Sequence, residues 1–190
     1  MTAFEPDYAL VAYVRDGRFA AVRATLAVLH ARGLVDAGRS GSVRRTDVVS
    51  PPPYDFELRV WSAIHGFVAP GALMGCAPAD AAFNELRREA CQNGLVRRLM
   101  PVRAFSPART RRGKQLVRSA AHRCPWPLSG EPADQAVVEH IGMAVALYGN
   151  AALEVLMPAF ARDSGLLGRE SHDEMALADP DAPGPQGRYY

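Results

Sequence analysis

Phe19 to Val35 reads FAAVRATLAVLHARGLV, and Asp80 to Val96 reads DAAFNELRREACQNGLV. Both stretches follow one plan. Each has apolar residues at helical spacing, closes on Gly-Leu-Val, and leads into a segment rich in arginine. At an offset of 61 residues, Val22 matches Phe83, Thr25 matches Leu86, Leu29 matches Ala90 and Gly33 matches Gly94. Each stretch reads as an amphipathic helix. A glycine directly after the last turn suits a C′ residue in the left-handed conformation, so positive φ is expected at Gly33 and Gly94. A strand should start at Leu34-Val35 and again at Leu95-Val96. One small unit used twice limits the chain to architectures assembled from such units.

The segments around the two helices fit this plan. Asp7 to Arg15 is a short helix that Asp16-Gly17 ends. Arg39-Ser40-Gly41-Ser42 is a hairpin tip, and Val43 to Val49 is the returning strand. Pro51-Pro52-Pro53 forms a stiff linker. Asp55 is the expected N-cap of the next helix, with Phe56, Val60, Ile64 and Phe67 as its apolar stripe. Pro78 suits the first turn of the following helix. Leu95 to Ala104 supplies a second pair of strands, and Thr110 to His122 returns to helical spacing. Glu131 to Tyr148 and Ala151 to Asp163 are two further helices, joined at Gly149-Asn150. Pro158 kinks the second or starts a new turn.

Helix, glycine stop, strand and basic loop is how a winged helix ends. The expected fold is therefore α+β and mainly α, with two tandem winged-helix-like units closed by a C-terminal helical pair. The first unit spans 1–50, the second 54–123 and the helical pair 124–167. Residues 168–190, rich in Gly, Pro, Asp and Glu, are expected to be largely disordered.

Several function classes lack support. The three cysteines (Cys76, Cys91, Cys124) are widely spaced without C-x-x-C, which is neither a disulfide framework nor a zinc pattern. No phosphate-binding glycine motif and no nucleophile elbow occurs. His140 follows Glu139 without a second histidine at metal-ligand spacing. No catalytic residue, metal or cofactor is expected. The longest apolar run, around Met143 to Tyr148, is too short to cross a bilayer. The N-terminal residues have no basic-then-apolar signal. The expectation is a cytoplasmic protein without direct membrane insertion.

Net charge is only +2, but it is unevenly spread. Leu86 to Arg123 holds eleven Arg or Lys and one acid, Glu89, whereas Cys124 to Tyr190 holds ten acids and three arginines. Arg87, Arg88, Arg97, Arg98, Arg109, Arg111, Arg112 and Lys114 are the candidate anion- or nucleic-acid-binding residues, because clustered cations attract phosphates. The competing expectation is a solvated wing balanced by the acidic C-terminal part. Base reading would need suitable side chains on the helix before each wing. The second such helix offers Asn84, Arg87 and Arg88; the first offers Arg23, Thr25 and His30.

The order of motifs also carries a resemblance. Leu26 to Val35, Gly94 to Val96, the T-x-x-G of Thr110 to Gly113, and V-A-L-Y-G-N-A-A-L from Val145 to Leu153 follow one another. In this order they resemble an uncharacterised cytosolic domain found in a family of bacterial membrane proteins. The resemblance covers roughly residues 8 to 165 and implies no known activity and no catalytic residues. The chain departs from that family in lacking a transmembrane segment. Together these readings point to a non-enzymatic binding or adaptor module with an unknown protein partner. The alternative is a winged-helix DNA-binding regulator.

Overall fold

The computed structural model describes residues 7–38, 41–48, 50–97, 107–126 and 135–167. These residues form nine helices and one small antiparallel sheet, a mainly helical α+β fold. The helices are α1 (Tyr8–Asp16), α2 (Arg18–Ala31), α3 (Asp55–Ser62), α4 (Pro70–Leu73), α5 (Ala77–Gln92), α6 (Arg111–Arg123), α7 (Gln135–Tyr148), α8 (Asn150–Leu156) and α9 (Pro158–Asp163). The strands are β1 (Val35–Ala37) and β2 (Val43–Arg45), with Val35 opposite Arg45 and Ala37 opposite Val43.

Helices α1, α2 and α7 pack together at the centre. Asp7 caps α1 by accepting the Ala9 N–H, and Gly17 ends it with φ 83°. Every residue of α2 from Ala20 to Leu29 is buried. Alanines at positions 20, 21, 24 and 27 fill the face that an amphipathic helix would turn to water. The amphipathic reading therefore fails for α2 and holds for α5, which buries Ala79, Ala82, Phe83, Leu86 and Ala90. A helix apolar on all sides belongs inside a protein.

The two Gly-Leu-Val turns have the same backbone hydrogen bonds. Gly33 N–H donates to His30 O (2.8 Å) and Leu34 N–H to Leu29 O (2.9 Å). Gly94 N–H donates to Cys91 O (3.1 Å) and Leu95 N–H to Ala90 O (2.8 Å). This is the Schellman pattern, and the expected positive φ occurs at both glycines, 70° and 65°. The likeness continues downstream. The Thr46 hydroxyl donates to Gly33 O and the Thr110 hydroxyl to Gly94 O, both at 2.6 Å. The strand expected from Leu95-Val96 is reduced to a single bridge, Val96 to Arg109, whereas Val35 pairs with Arg45 in a ladder of three residue pairs.

Other expectations change. Tyr54, not Asp55, is the N-cap of α3, and Asp55 sits in the first turn, bonded to Arg59 (2.7 Å). Phe67 is 61% exposed because the chain leaves the α3 helix after Ser62. The returning strand stops at Arg45; one further cross-strand bond, Thr46 N–H to Leu34 O (3.1 Å), precedes the exposed Asp47 and Val48. The expected helix Ala151 to Asp163 divides into α8 and α9 at Met157, since Pro158 cannot continue the ladder. The sheet also crosses the triproline. Val43 and Val68 exchange N–H···O bonds of 2.8 and 2.9 Å, adding a bridge from beyond α3 to β2. The expected tail 168–190, and Arg98 with most of the second wing, lie outside the described residues. No helix among the described residues is long and apolar enough to cross a membrane.

Candidate anion-binding face

Thr110 starts α6 and ties it to the second Gly-Leu-Val turn. Its hydroxyl donates to Gly94 O and accepts the Gly113 N–H at 3.1 Å. Gly113 lies so close to that turn that a Cβ there would run into the Leu95 carbonyl oxygen. The T-x-x-G motif is thus a cap followed by a close approach. Gly113, Val117 and Ala120 face inward, onto α1 and α7.

The opposite face of α6 exposes Arg111, Arg112, Lys114, Gln115, Arg118, Ser119, His122 and Arg123. Between Pro107 and Trp126 the sequence has no Asp or Glu. Arg97 joins this face because its N–H donates to Ala108 O (3.0 Å), beside the Val96–Arg109 bridge. Arg97 is exposed and Arg109 half-buried. Arg111 and Arg112 occupy the first turn of α6, where the helix dipole disfavours cations. Helix stability therefore does not account for them. Among the described residues, no carboxylate forms an ion pair with Arg111, Arg112, Lys114, Arg118 or Arg123.

The remaining candidates belong to α5 and are engaged there. Arg88 lies 3.8 Å from Glu85, which also meets Arg59 at 3.3 Å. Arg87 is half-buried near Tyr13, whose hydroxyl is raised by burial while Arg87 and Arg18 pull it down. Two of the three base-reading candidates of α2 are enclosed, and His30 is half-buried and stacked on Phe160. Arg23 is 3% exposed and donates to Asn150 Oδ1 at 2.7 Å, and Thr25 is fully buried.

Sequence reasoning missed a convergent polar cluster. Glu57, 1% exposed, accepts from the Tyr8 hydroxyl at 2.6 Å and pairs with Arg32. Burial raises the Glu57 carboxyl, with Tyr8 and Arg32 pulling it down. Burial, then the Glu57 charge, raises the Tyr8 hydroxyl well above its ordinary value. Nearby, Tyr54 donates to Glu139 (3.0 Å) and its ring lies under the Arg32 guanidinium. A groove of about 360 Å³ runs past Arg32, Pro51, Pro53 and Val138. Glu57 itself is sealed from it, so its chemistry is to dock α3 on α1 and α2. Its signal, an acid beside the apolar positions Phe56 and Val60, was legible but has no local partner.

Arg15 was missed for the same reason, and Arg23, expected as a base reader, is buried instead. Arg15 donates to Ala146 O (3.0 Å), and Arg23 meets Asn150 beyond Gly149. The Tyr148 hydroxyl donates to Cys124 O at 2.8 Å. The A-L-Y-G-N corner therefore anchors α1, α2 and α6 as well as turning the chain. Among the described residues, no group of three His, Cys, Asp or Glu is placed to hold a metal ion.

The fold and this face define a mainly helical α+β protein with a carboxylate-free cationic helix surface. No family model, curated protein or solved structure matches the chain.

Proposed function

We propose that the chain is a non-enzymatic cytoplasmic adaptor that docks an acidic protein surface on the exposed face of α6. Its architecture is read as two winged-helix-like units closed by the C-terminal helices, in support of which stand the paired Schellman turns and paired threonine bonds. The observation that carries the functional reading is the row of exposed cations from Arg111 to Arg123 with no acid in the segment. Charge of one sign over a whole helix face steers a partner of the opposite sign.

The second reading is sequence-independent contact with a nucleic-acid backbone, favoured by the Val96–Arg109 bridge beside the same face. Base reading has less support. α2 is interior, and α5 exposes Glu89 next to an Arg88 that faces Glu85. The test compares polyglutamate and mixed-sequence duplex DNA as ligands at two salt concentrations. Replacing Arg111, Arg112 and Lys114 together by Gln should abolish polyglutamate binding and leave the melting temperature unchanged. Duplex binding that weakens alike on all sequences, with a flatter salt slope, would favour the second reading. Unaltered binding of both ligands by the triple variant would sink the α6 assignment.

A further inference from the structure

The first hairpin carries a cavity unrelated to α6. The turn from Ile64 to Phe67 follows α3 and brings Val68 back to Val43. It hangs beside β2 and borders an open hollow of about 430 Å³ lined by Arg44, Arg45, Ile64, His65, Gly66 and Phe67. Ile64 is buried, while Arg44, His65 and Phe67 are exposed.

Of the two cations in the lining, Arg45 is held in place. The Arg45 guanidinium lies 4.0 Å from the Trp61 ring centre, and its Nε donates to Trp61 O at 2.8 Å. Asp36 stands opposite Arg44 in the β ladder. Its carboxylate is turned elsewhere, accepting the Ala37 N–H at 2.8 Å and lying 3.9 Å from His30 Nδ1. Among the described residues, neither Arg44 nor Arg45 forms an ion pair with a carboxylate. The Phe67 ring rests against the backbone of Gly38 and keeps the rest of its surface open.

We propose that this cavity is a one-nucleotide subsite for single-stranded nucleic acid, with a base stacked on Phe67 and its phosphate held by Arg44 and Arg45. An exposed ring beside guanidiniums without a carboxylate partner matches the two needs of a single strand, a stacking platform and backbone neutralisation. The open side argues for a strand over a free nucleotide. Small ligands are usually buried over roughly 70–90% of their surface, whereas a base in a strand needs one free ring face. Duplex is not the ligand, because its bases are stacked on one another. Stacking on a ring face accepts any base, so recognition is tolerant of sequence.

The experiment is a fluorescence anisotropy titration with fluorescein-labelled oligothymidylate. Phe67→Leu should weaken binding by about 5- to 100-fold, the range of one lost base stack. Arg44→Gln should weaken it and lower the salt slope by about one. Phe67 is largely exposed, so an unchanged melting temperature should accompany its loss of binding. The triple replacement of Arg111, Arg112 and Lys114 separates this proposal from the α6 reading. Binding lost in that variant and kept in Phe67→Leu would place the strand on α6 and overturn the subsite. Competition by thymidine monophosphate as strong as by the oligonucleotide would overturn the strand assignment in favour of a free nucleotide. No binding of oligothymidylate at low salt would overturn the proposal outright.

Discussion

From Ala20 to Leu29 no residue of α2 reaches solvent, whereas α5 exposes Ala81, Asn84, Arg88, Glu89 and Gln92 between its buried positions. Yet the two helices end in the same turn, with the same donors, the same acceptor spacing and the same threonine on the glycine carbonyl. The difference separates two levels of information. The turn is local and follows from Gly-Leu-Val. The surroundings are tertiary and depend on what else the chain brings to the helix. For α2 these are α1 on one side, α7 on another and α3 with α4 on a third. For α5 they are chiefly α3 and α1, with Arg18 at the start of α2 bonded to Asp80.

The sharpest way to break this comparison is to exchange side-chain character at matched positions. Ala27 and Arg88 are 61 residues apart and occupy equivalent places. Ala27→Glu would bury a carboxylate with no partner and should cost about 4 kcal/mol or more, enough to unfold a marginal domain. Arg88→Glu should change stability by only about 0.5 kcal/mol, since it sits in solvent. Urea unfolding of both variants measures the contrast; similar midpoints would show that α2 is not interior.

A smaller effect should be equal in the two regions. A Cβ on Gly33 or Gly94 would meet nothing within 4 Å, so only positive φ penalises alanine. Gly33→Ala and Gly94→Ala should each destabilise by about 1 kcal/mol. Unequal losses in calorimetry would mean that the turns differ in ways their hydrogen bonds conceal.

The smallest effect is a pH slope, because Tyr8 and Arg32 offset part of the burial at Glu57. Burial raises Glu57 and Glu89 above the ordinary glutamate value of 4.5. The folded protein therefore holds these protons more tightly than the unfolded chain. Their contribution is fully present below about pH 4.5 and is lost as pH rises through the raised folded values. Glu57→Gln should flatten that loss more than Glu89→Gln does, since Glu57 lies against the central helices. A steeper slope in Glu57→Gln, followed by urea unfolding at several pH values, would contradict the burial of that carboxylate.

Much of the local structure was legible. The helices α1, α2, α5 and α6, the first hairpin and the two left-handed glycines all follow from spacing and turn chemistry. Periodicity misled at α2, because alanine fills either an interior or a surface face and its sequence does not say which. Charge misled at Arg15 and Arg23. Arginine is ordinarily exposed, and their acceptors Ala146 and Asn150 lie 131 and 127 residues away. Phe67 joined the stripe only on the assumption that α3 continued past Ser62. The candidate face was legible as composition alone. Which cations share it was not, because the α6 cap and the Val96–Arg109 bridge decide that. The repeated Arg-Thr, at 45–46 and 109–110, was a readable clue to the threonine bonds on both glycine carbonyls. Its offset of 64 residues hid it from a comparison made at 61.

The enclosure of α2 also sets a schedule for making the protein. More than a hundred residues separate Leu29 from the start of α7 at Gln135. At ribosomal speeds, roughly 5 to 20 s pass between the synthesis of the two. Throughout that interval the apolar surface that α7 will cover is on a nascent chain without its cover. Until α7 emerges, the growing polypeptide therefore presents that surface to chaperones, and the central packing closes only once α7 is made.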